Sequence, residues 1–213
     1  MDTVGVALAG CAEPGSRIIL DVIAEGKTSG SARIIGTGEP VATWDAAWIN
    51  GTLSNMLDFD DTGFTHPSVC IVPAALAVCE ARNLSGTQLI TSLAVGYEVC
   101  ARMSAVIGGV YNSRLRERGI HPMAVVGGIA AAAASSNALG LTRQQTLVAF
   151  GLAATSSFGM TQQFGTWAKG VHAGNAARAG VMGALLAERD YYASETAVEG
   201  RFGLLNALLG EGN

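Results

Sequence analysis

The amino-acid sequence predicts an all-α fold, a compact bundle of closely packed helices in which residues 1–213 form one domain. Three observations support this prediction. Apolar residues recur at helical spacing along most of the chain, and helix start and stop signals bound the apolar segments. No alternating run of apolar and polar residues is long enough for a central β-strand.

The helical segments of the first half of the chain are predicted at 1–10, 16–25, 44–61 and 67–82. A polar stretch separates the second segment from the third, and only a short strand at 32–35 is expected there. Gly63 suits the left-handed position that follows a helix C-terminus. Pro67 suits the first turn of the fourth segment, because that position needs no backbone N–H.

The helical segments of the second half are predicted at 85–108, 122–140, 142–158 and 171–189, with polar loops at 110–120 and 159–169. Capping boxes begin at Ser85 and Thr142. Pro122 suits the start, and Gly140 the end, of an alanine-rich segment. The many small residues of these helices favour close packing, either within the bundle or in a dimer core.

Composition restricts the class of protein. The chain is 49% hydrophobic and only 14% charged, so we expect part of its surface to be buried in a homodimer. The net charge of −4 and the lack of a basic run argue against nucleic acid as a partner. The N-terminus lacks the basic start of a signal peptide, and the uncharged run 120–142 is too weakly apolar for a membrane span. The sequence therefore predicts a soluble, cytoplasmic protein without a membrane partner.

Two of the three histidines, His66 and His121, each precede a proline. A residue before proline is kept out of helical geometry, so both imidazoles are expected at helix entrances rather than inside the core. Helix N-termini attract anions and histidine titrates near neutrality, so the pair could bind carboxylates and transfer protons. The alternative left open is that each histidine only caps its helix or fills a surface notch.

Three carboxylates are expected in the last turn of the helix before His66, namely Asp58, Asp60 and Asp61. Acidic groups there oppose the helix dipole at roughly 0.3–1 kcal/mol each, so helix propensity does not explain them. Helical spacing would place Asp58, Asp61 and Thr62 on one face, toward the histidine. Such a carboxylate could orient the imidazole, and a solvated helix end is the alternative. A metal site is disfavoured, because no second cluster with ligand spacing is visible.

Lys169 is one of two lysines in the chain, and it lies with His172 in a glycine-bracketed segment that leads into a helix. The two side chains could bind an anion at the helix entrance, or the lysine could only extend from an apolar loop into solvent. Cofactor motifs are absent from the sequence. Residues 36–38 lack the third glycine of a dinucleotide site, no P-loop is present, and the four cysteines lack CxxC spacing. We therefore expect neither a cofactor nor a metal.

Several segments resemble the sequence signatures of the MmgE/PrpD family. They are INGTLSNMLDFDDT at 49–62, THPS at 65–68, GIHP at 119–122 and GTWAKGVHAGNAARAG at 165–180. The segment DTVGVALAG at 2–10 is also similar to the early helix of the family. The resemblance covers nearly the whole chain in the family's order, which makes it far more specific than any single motif.

The resemblance implies chemistry on small di- or tricarboxylates without a redox cofactor, because the family includes 2-methylcitrate dehydratases, cis-aconitate decarboxylases and iminodisuccinate epimerases. From it and the residues above we expect catalytic residues at Asp58, His66, His121 and Lys169, and substrate-binding residues at Asp61, Thr62 and His172. A histidine would act as general acid or base, Asp58 would orient an imidazole, and Lys169 would hold a carboxylate. His172 is included only as a neighbour that supports the loop.

Departures from the family pattern set further expectations. Ala168 stands where the family usually has a hydroxyl residue, and the connection from Asp61 to His66 is short. The resemblance also implies a preceding helix and a second α/β domain that closes the cleft, so we expect the chain to be a truncated helical domain. The expected activity is that of a 2-methylcitrate dehydratase-like lyase. The alternatives are a decarboxylase, an epimerase, or a catalytically silent, dimerising helical domain.

Overall fold

A computed structural model describes residues 1–26, 28–63, 65–109 and 114–210. Its helices in these ranges are α1 (Asp2–Gly10), α2 (Pro14–Glu25), α3 (Thr43–Asn55), α4 (Ser68–Ala81), α5 (Gly86–Val106), α6 (Arg114–Glu117), α7 (Pro122–Leu139), α8 (Arg143–Ser156), α9 (Ala168–Ala187) and α10 (Leu204–Leu209). Two short strands, β1 (Ala32–Arg33) and β2 (Pro40–Val41), form an antiparallel pair. The predicted all-α class is thereby confirmed.

Helix α7 lies at the centre of the bundle, and nearly all of its residues are buried. It packs against α4, α5, α8 and α9, while α9 also packs against α3. Glycines permit this close approach. A β-carbon at Gly127 would lie 2.5 Å from the sulfur of Cys70, and one at Gly180 would lie 2.5 Å from the backbone of Ala131. The small residues are therefore used within the chain, as one of the two predicted alternatives states, and the homodimer stays a prediction.

Most helix boundaries in the second half follow the sequence signals. The capping boxes at Ser85 and Thr142 both form, with reciprocal bonds to Gln88 and Gln145. Gly140 follows α7 in the left-handed conformation, at φ 67°. The local signals are sufficient here because each boundary is fixed by bonds within a few residues.

The predicted helix over 44–61 is wrong in its second part, because α3 ends at Asn55. The left-handed residue is Asp58, at φ 51°, rather than Gly63. The acidic residues that follow α3 bond to groups outside that helix. The carboxylate of Asp61, for example, accepts a hydrogen bond from the backbone N–H of Ser68, the first residue of α4. The argument that these carboxylates share a helix face therefore fails.

Three further elements differ from the sequence prediction. Within the predicted loop 110–120, residues 110–113 lie outside the described part, and α6 occupies 114–117. The predicted loop 159–169 contains a 3₁₀ turn, Thr161–Gln163. Helix α10 was not predicted at all. Each is a short element that has too few residues for a recognisable period and forms through contacts with the rest of the molecule.

Two helices in the described part of the chain have the length and apolar composition of a membrane span, α5 and α7. In α7, 89% of the apolar window is buried inside the bundle, as expected of a core helix. In α5 the corresponding share is 22%. The expectations of a cytoplasmic location and of no membrane partner stay predictions.

Candidate active site

A cleft of about 190 Å³ lies where several helix ends and loops meet. Its lining residues are Asp58, His66, Arg116, His121, Pro122, Phe164 and Lys169. The connection between α3 and α4 supplies the first two, α6 and the start of α7 the next three, and the segment entering α9 the last two. All four predicted catalytic residues are thus brought together by elements far apart in sequence.

The imidazole of His66 is held by a buried carboxylate. Its Nδ1 lies 2.8 Å from Oδ2 of Asp60, whose side chain is fully shielded from solvent. The other oxygen of Asp60 accepts a hydrogen bond from the side-chain amide of Asn55 at 2.9 Å. An ionised carboxylate only accepts, so Nδ1 of His66 carries the proton and Nε2 is left free to act as a base. The predicted orienting residue was Asp58, but Asp60 makes this contact, and Asp58 lies 3.8 Å from Nε2.

Lys169 forms an ion pair with Asp58 across the cleft. The lysine side chain is only 11% exposed, whereas that of Asp58 is 54% exposed. The ammonium group also lies 5.5 Å from the centroid of the Phe164 ring, and the guanidinium carbon of Arg116 lies 5.8 Å from the same centroid. The cleft therefore has two cationic groups, both adjacent to one aromatic ring.

His121 is a buried residue in the wall of the cleft, and its Nδ1 lies 3.0 Å from Nδ1 of His172. The ring packs edge-on against Phe164, with centroids 4.8 Å apart. The backbone N–H of His121 donates to the carbonyl of Gly159 at 2.8 Å, which fixes the position where α7 begins. Burial, together with the nearby His172 and Lys169, lowers the pKa of His121 to about 3. At neutral pH its imidazole is therefore uncharged.

His172 is the buried partner of His121 and does not line the cleft. Burial, with a further contribution from Lys169, lowers its pKa as well. Gly159 makes room for the ring, because a β-carbon there would lie 2.7 Å from Nδ1 of His172. The two imidazoles are therefore a neutral pair in which the N–H of one Nδ1 donates a hydrogen bond to the bare Nδ1 of the other.

The other two predicted substrate-binding residues lie away from the lining of the cleft. One oxygen of Asp61 accepts from the backbone of Ser68, and the other accepts from the hydroxyl of Tyr97 at 2.9 Å. The Asp61 carboxylate thus caps α4 and ties it to α5. Thr62 is exposed. The structure brings neither residue into contact with the space between the histidines.

Sequence reasoning missed three residues that shape the site. Asp60 was noted in the acidic run but received no role, and only its distance to His66 identifies it. Arg116 is one of three closely spaced arginines, with Arg114 and Arg118. Their spacing gives no indication that one of them lines this cleft. Phe164 lies in the predicted loop and carries no sequence signal. All three residues can be identified as part of the site only from their contacts in the folded structure.

One group of side chains in the described part of the chain has metal-ligand types within 4.8 Å, namely Asp58, Asp60 and His66. Each already has a protein partner. Asp58 is paired with Lys169, and Asp60 bonds to both His66 and Asn55. A cation bound here would have to displace a lysine, so the arrangement suits proton transfer better than metal binding.

The cleft of this all-α domain is thus lined by two histidines, a lysine and an arginine, the side-chain types that an acid–base site for a small anion would need. The chain belongs to the MmgE/PrpD family, because the family's N-terminal domain matches residues 1–213. The resemblance noted in the sequence is thereby confirmed.

Three relatives illustrate the match. The chain is 31% identical to a cis-aconitate decarboxylase of Aspergillus terreus over its full length, which corresponds to 45% of that protein. It is 30% identical to a cis-aconitate decarboxylase-like protein of Aspergillus oryzae, again over its full length and 46% of the relative. The human cis-aconitate decarboxylase is 34% identical over 67% of this chain and 30% of its own length. The chain thus spans about half the length of the curated relatives it matches over its full length.

Proposed function

We propose that the chain supplies the acid–base and carboxylate-binding groups of a lyase that acts on a small polycarboxylate, with decarboxylation of cis-aconitate as its reaction. The observation that carries this proposal is the cleft, where His66, His121, Lys169 and Arg116 line one space of about 190 Å³. The three relatives favour decarboxylation over the dehydration expected from the family signatures.

Binding of a polycarboxylate would use the two cations. Hydrogen bonds between ionised donors and carboxylates are roughly twice as strong as those between neutral groups. Lys169 and Arg116 lie on the same aromatic ring, so they can hold two carboxylates of one small molecule. Helices α7 and α9 both begin beside the cleft, and their N-termini add partial positive charge. A substrate with several negative charges fits this electrostatic environment better than a neutral one.

Decarboxylation would need a cation and a proton donor. Loss of CO₂ breaks a carbon–carbon bond and leaves its electron pair on the substrate, where the double bond and a remaining carboxylate delocalise it. Lys169 and Arg116 would stabilise this charge as it develops. A protonated histidine then releases a proton from nitrogen, and the new carbon–hydrogen bond completes the product. A positioned proton donor typically contributes ~10²–10⁴ in rate.

Dehydration is the second candidate, and the presence of two imidazoles at one cleft favours it. His66, with Nε2 free, would take a proton from the carbon beside a carboxylate. His121 would protonate the departing hydroxyl group. The same residues serve both reactions, so the choice between them depends on the substrate and not on the catalytic groups.

The test is NMR of the purified chain in D₂O with cis-aconitate, 2-methylcitrate, citrate and iminodisuccinate supplied separately. We expect cis-aconitate to lose CO₂ and the product to carry one deuterium at the protonated carbon. Conversion of 2-methylcitrate instead would select dehydration. A folded chain that converts none of the four would contradict the proposal and favour a silent helical domain.

Substitutions of the two cationic cleft residues test whether the activity depends on the cleft. We expect Lys169→Ala and Arg116→Gln each to lower kcat/KM by about 10- to 100-fold, the loss expected for a hydrogen bond to a charged group. Arg102→Gln is the matched control, because Arg102 pairs with Glu98 on the surface of α5. Equal effects of Arg102→Gln and Arg116→Gln would show that net charge, and not the cleft, is responsible. Dialysis against a chelator is expected to leave the activity unchanged.

A further inference from the structure

The contact between His121 and His172 has no part in the chemistry proposed above, in which only His121 of the two transfers a proton. The two Nδ1 atoms are 3.0 Å apart, both rings are buried, and only His121 reaches the cleft. At this distance one nitrogen must donate and the other must accept. The direction of this bond decides which ring nitrogen of His121 is protonated, and therefore what its cleft-facing edge can do.

We propose that His172 is a positioning residue that accepts a hydrogen bond from Nδ1–H of His121, so that Nε2 of His121 is the atom that exchanges a proton with the substrate. The inference rests on the proposed function and assigns His172 a place in it. His172 does not touch the substrate, since it lies behind His121 and not in the cleft lining.

If His121 both gains and loses a proton during the reaction, only a hydrogen bond donated by its Nδ1–H to His172 can persist throughout. When His121 is protonated, both of its nitrogens carry hydrogen, and Nδ1 must donate. A His172 that presented its own Nδ1–H would then place two donors 3.0 Å apart. With the bare Nδ1 on His172, the same hydrogen bond persists while Nε2 of His121 alternates between a lone pair and an N–H.

The surroundings of the pair favour a substrate-driven change. The groups near His121 are His172 and Lys169 on α9, His66 and Asp58 on the connection between α3 and α4, and Phe164. Burial, the neighbouring His172 and the nearby lysine lower the pKa of His121 and keep its imidazole neutral. A bound polycarboxylate adds negative charge beside the ring and favours the protonated form. The proton then leaves Nε2 for the substrate carbon, and the ring returns to its neutral state without reorientation.

Protonation of the rings can be measured directly on the full chain by ¹⁵N NMR of labelled histidine. The chain has three histidines, so each signal is assigned from one substitution. We expect His121 to be protonated at Nδ1 and bare at Nε2, and His172 to show the opposite pattern. A His121 that is protonated at Nε2 and bare at Nδ1 would overturn the inference.

Two substitutions at position 172 test the consequence for rate. His172→Asn keeps an acceptor oxygen near the position of Nδ1, and His172→Leu removes it. We expect His172→Leu to lower kcat on the order of 10²-fold with little change in KM, and His172→Asn to recover most of the loss. Equal kcat values for the two variants would contradict the inference, and so would a large rise in KM.

The outcomes separate this inference from the proposed function. The protonation pattern is read without substrate, so it decides the inference even if the chain converts nothing. If His172→Leu fails to fold, the pattern in the unsubstituted chain and the kcat of His172→Asn still decide. Turnover of a polycarboxylate together with a His121 protonated at Nε2 would retain the function and reject the role of His172.

Discussion

At the scale of single residues, the two cleft histidines are held in different ways. His66 bonds to the buried carboxylate of Asp60, whereas His121 bonds to the neutral imidazole of His172. A carboxylate stabilises a protonated imidazole, and a buried neutral neighbour does not. The two imidazoles therefore line the same cleft but have different partners, a carboxylate for His66 and a second imidazole for His121.

Asp60→Asn tests the first of these arrangements. The amide keeps the size of the carboxylate but removes its charge, so the charge-assisted hydrogen bond that orients His66 is weakened. We expect kcat to fall on the order of 10²-fold, measured with the substrate that the chain converts. Asp21→Asn, at an exposed position on α2, is the control and should leave kcat unchanged. An Asp60→Asn variant with full activity would remove His66 from the proposed chemistry.

The dependence of stability on pH tests the second arrangement, the buried pair of His121 and His172. The folded chain keeps His121 neutral down to a pKa of about 3, while an unfolded chain binds that proton near pH 6.5. Between these values the unfolded state holds more protons, so the free energy of unfolding falls as the pH falls. The slope for one group reaches about 1.4 kcal/mol per pH unit.

Chemical denaturation between pH 6.5 and 5 measures this slope before most carboxylates titrate. We expect His121→Asn to flatten it, because asparagine has no proton to bind in this range. Part of the slope should remain, since burial lowers the pKa of His172 as well. An identical slope in the variant and the unsubstituted chain would show that folding does not lower the pKa of His121.

At the scale of secondary-structure elements, the sequence predicts what local bonds determine. Capping boxes and a left-handed glycine fix the boundaries of α5, α7 and α8 within a few residues of each signal. The end of α3 could not be predicted, because the acidic residues after Asn55 bond to groups outside the helix, as Asp61 does to the first residue of α4. The same distinction between local and tertiary bonds decides which site residues can be predicted from the sequence. His66, His121 and Lys169 could be selected by their sequence context, whereas Asp60 could be selected only by its tertiary contact with His66.

Glycine positions give an element-scale prediction. A β-carbon at Gly180 of α9 would lie 2.5 Å from the backbone of Ala131 in α7, whereas one at Gly5 of α1 meets nothing within 4 Å. Gly180→Ala must push two central helices apart, and we expect a loss of roughly 1–3 kcal/mol in the free energy of unfolding. Gly5→Ala should instead add about 0.5–1 kcal/mol, because alanine favours the helix. Denaturant unfolding measures both, and losses of equal size would contradict the tight contact between α7 and α9.

At the scale of the whole molecule, helix α2 exposes two large apolar side chains to solvent. Ile18 and Val22 lie one turn apart and are 56% and 59% exposed. The helix packs chiefly against α3, and its buried residues are only Gly15 and Ser16. With 14% charged residues, the chain has little polar surface to spare. We therefore expect this face of α2 to pack against a second copy of the chain.

Light scattering during gel filtration tests the homodimer, with an expected mass of twice 21.7 kDa. Val22→Glu places a charge in the expected interface and should shift the mass to that of one chain that remains folded. Val106→Glu is the matched control, because Val106 on α5 is 53% exposed and lies on a different helix. A monomeric unsubstituted chain would contradict the dimer. A dimer that survives Val22→Glu and dissociates with Val106→Glu would move the interface to α5, the other helix with an apolar, largely unburied surface.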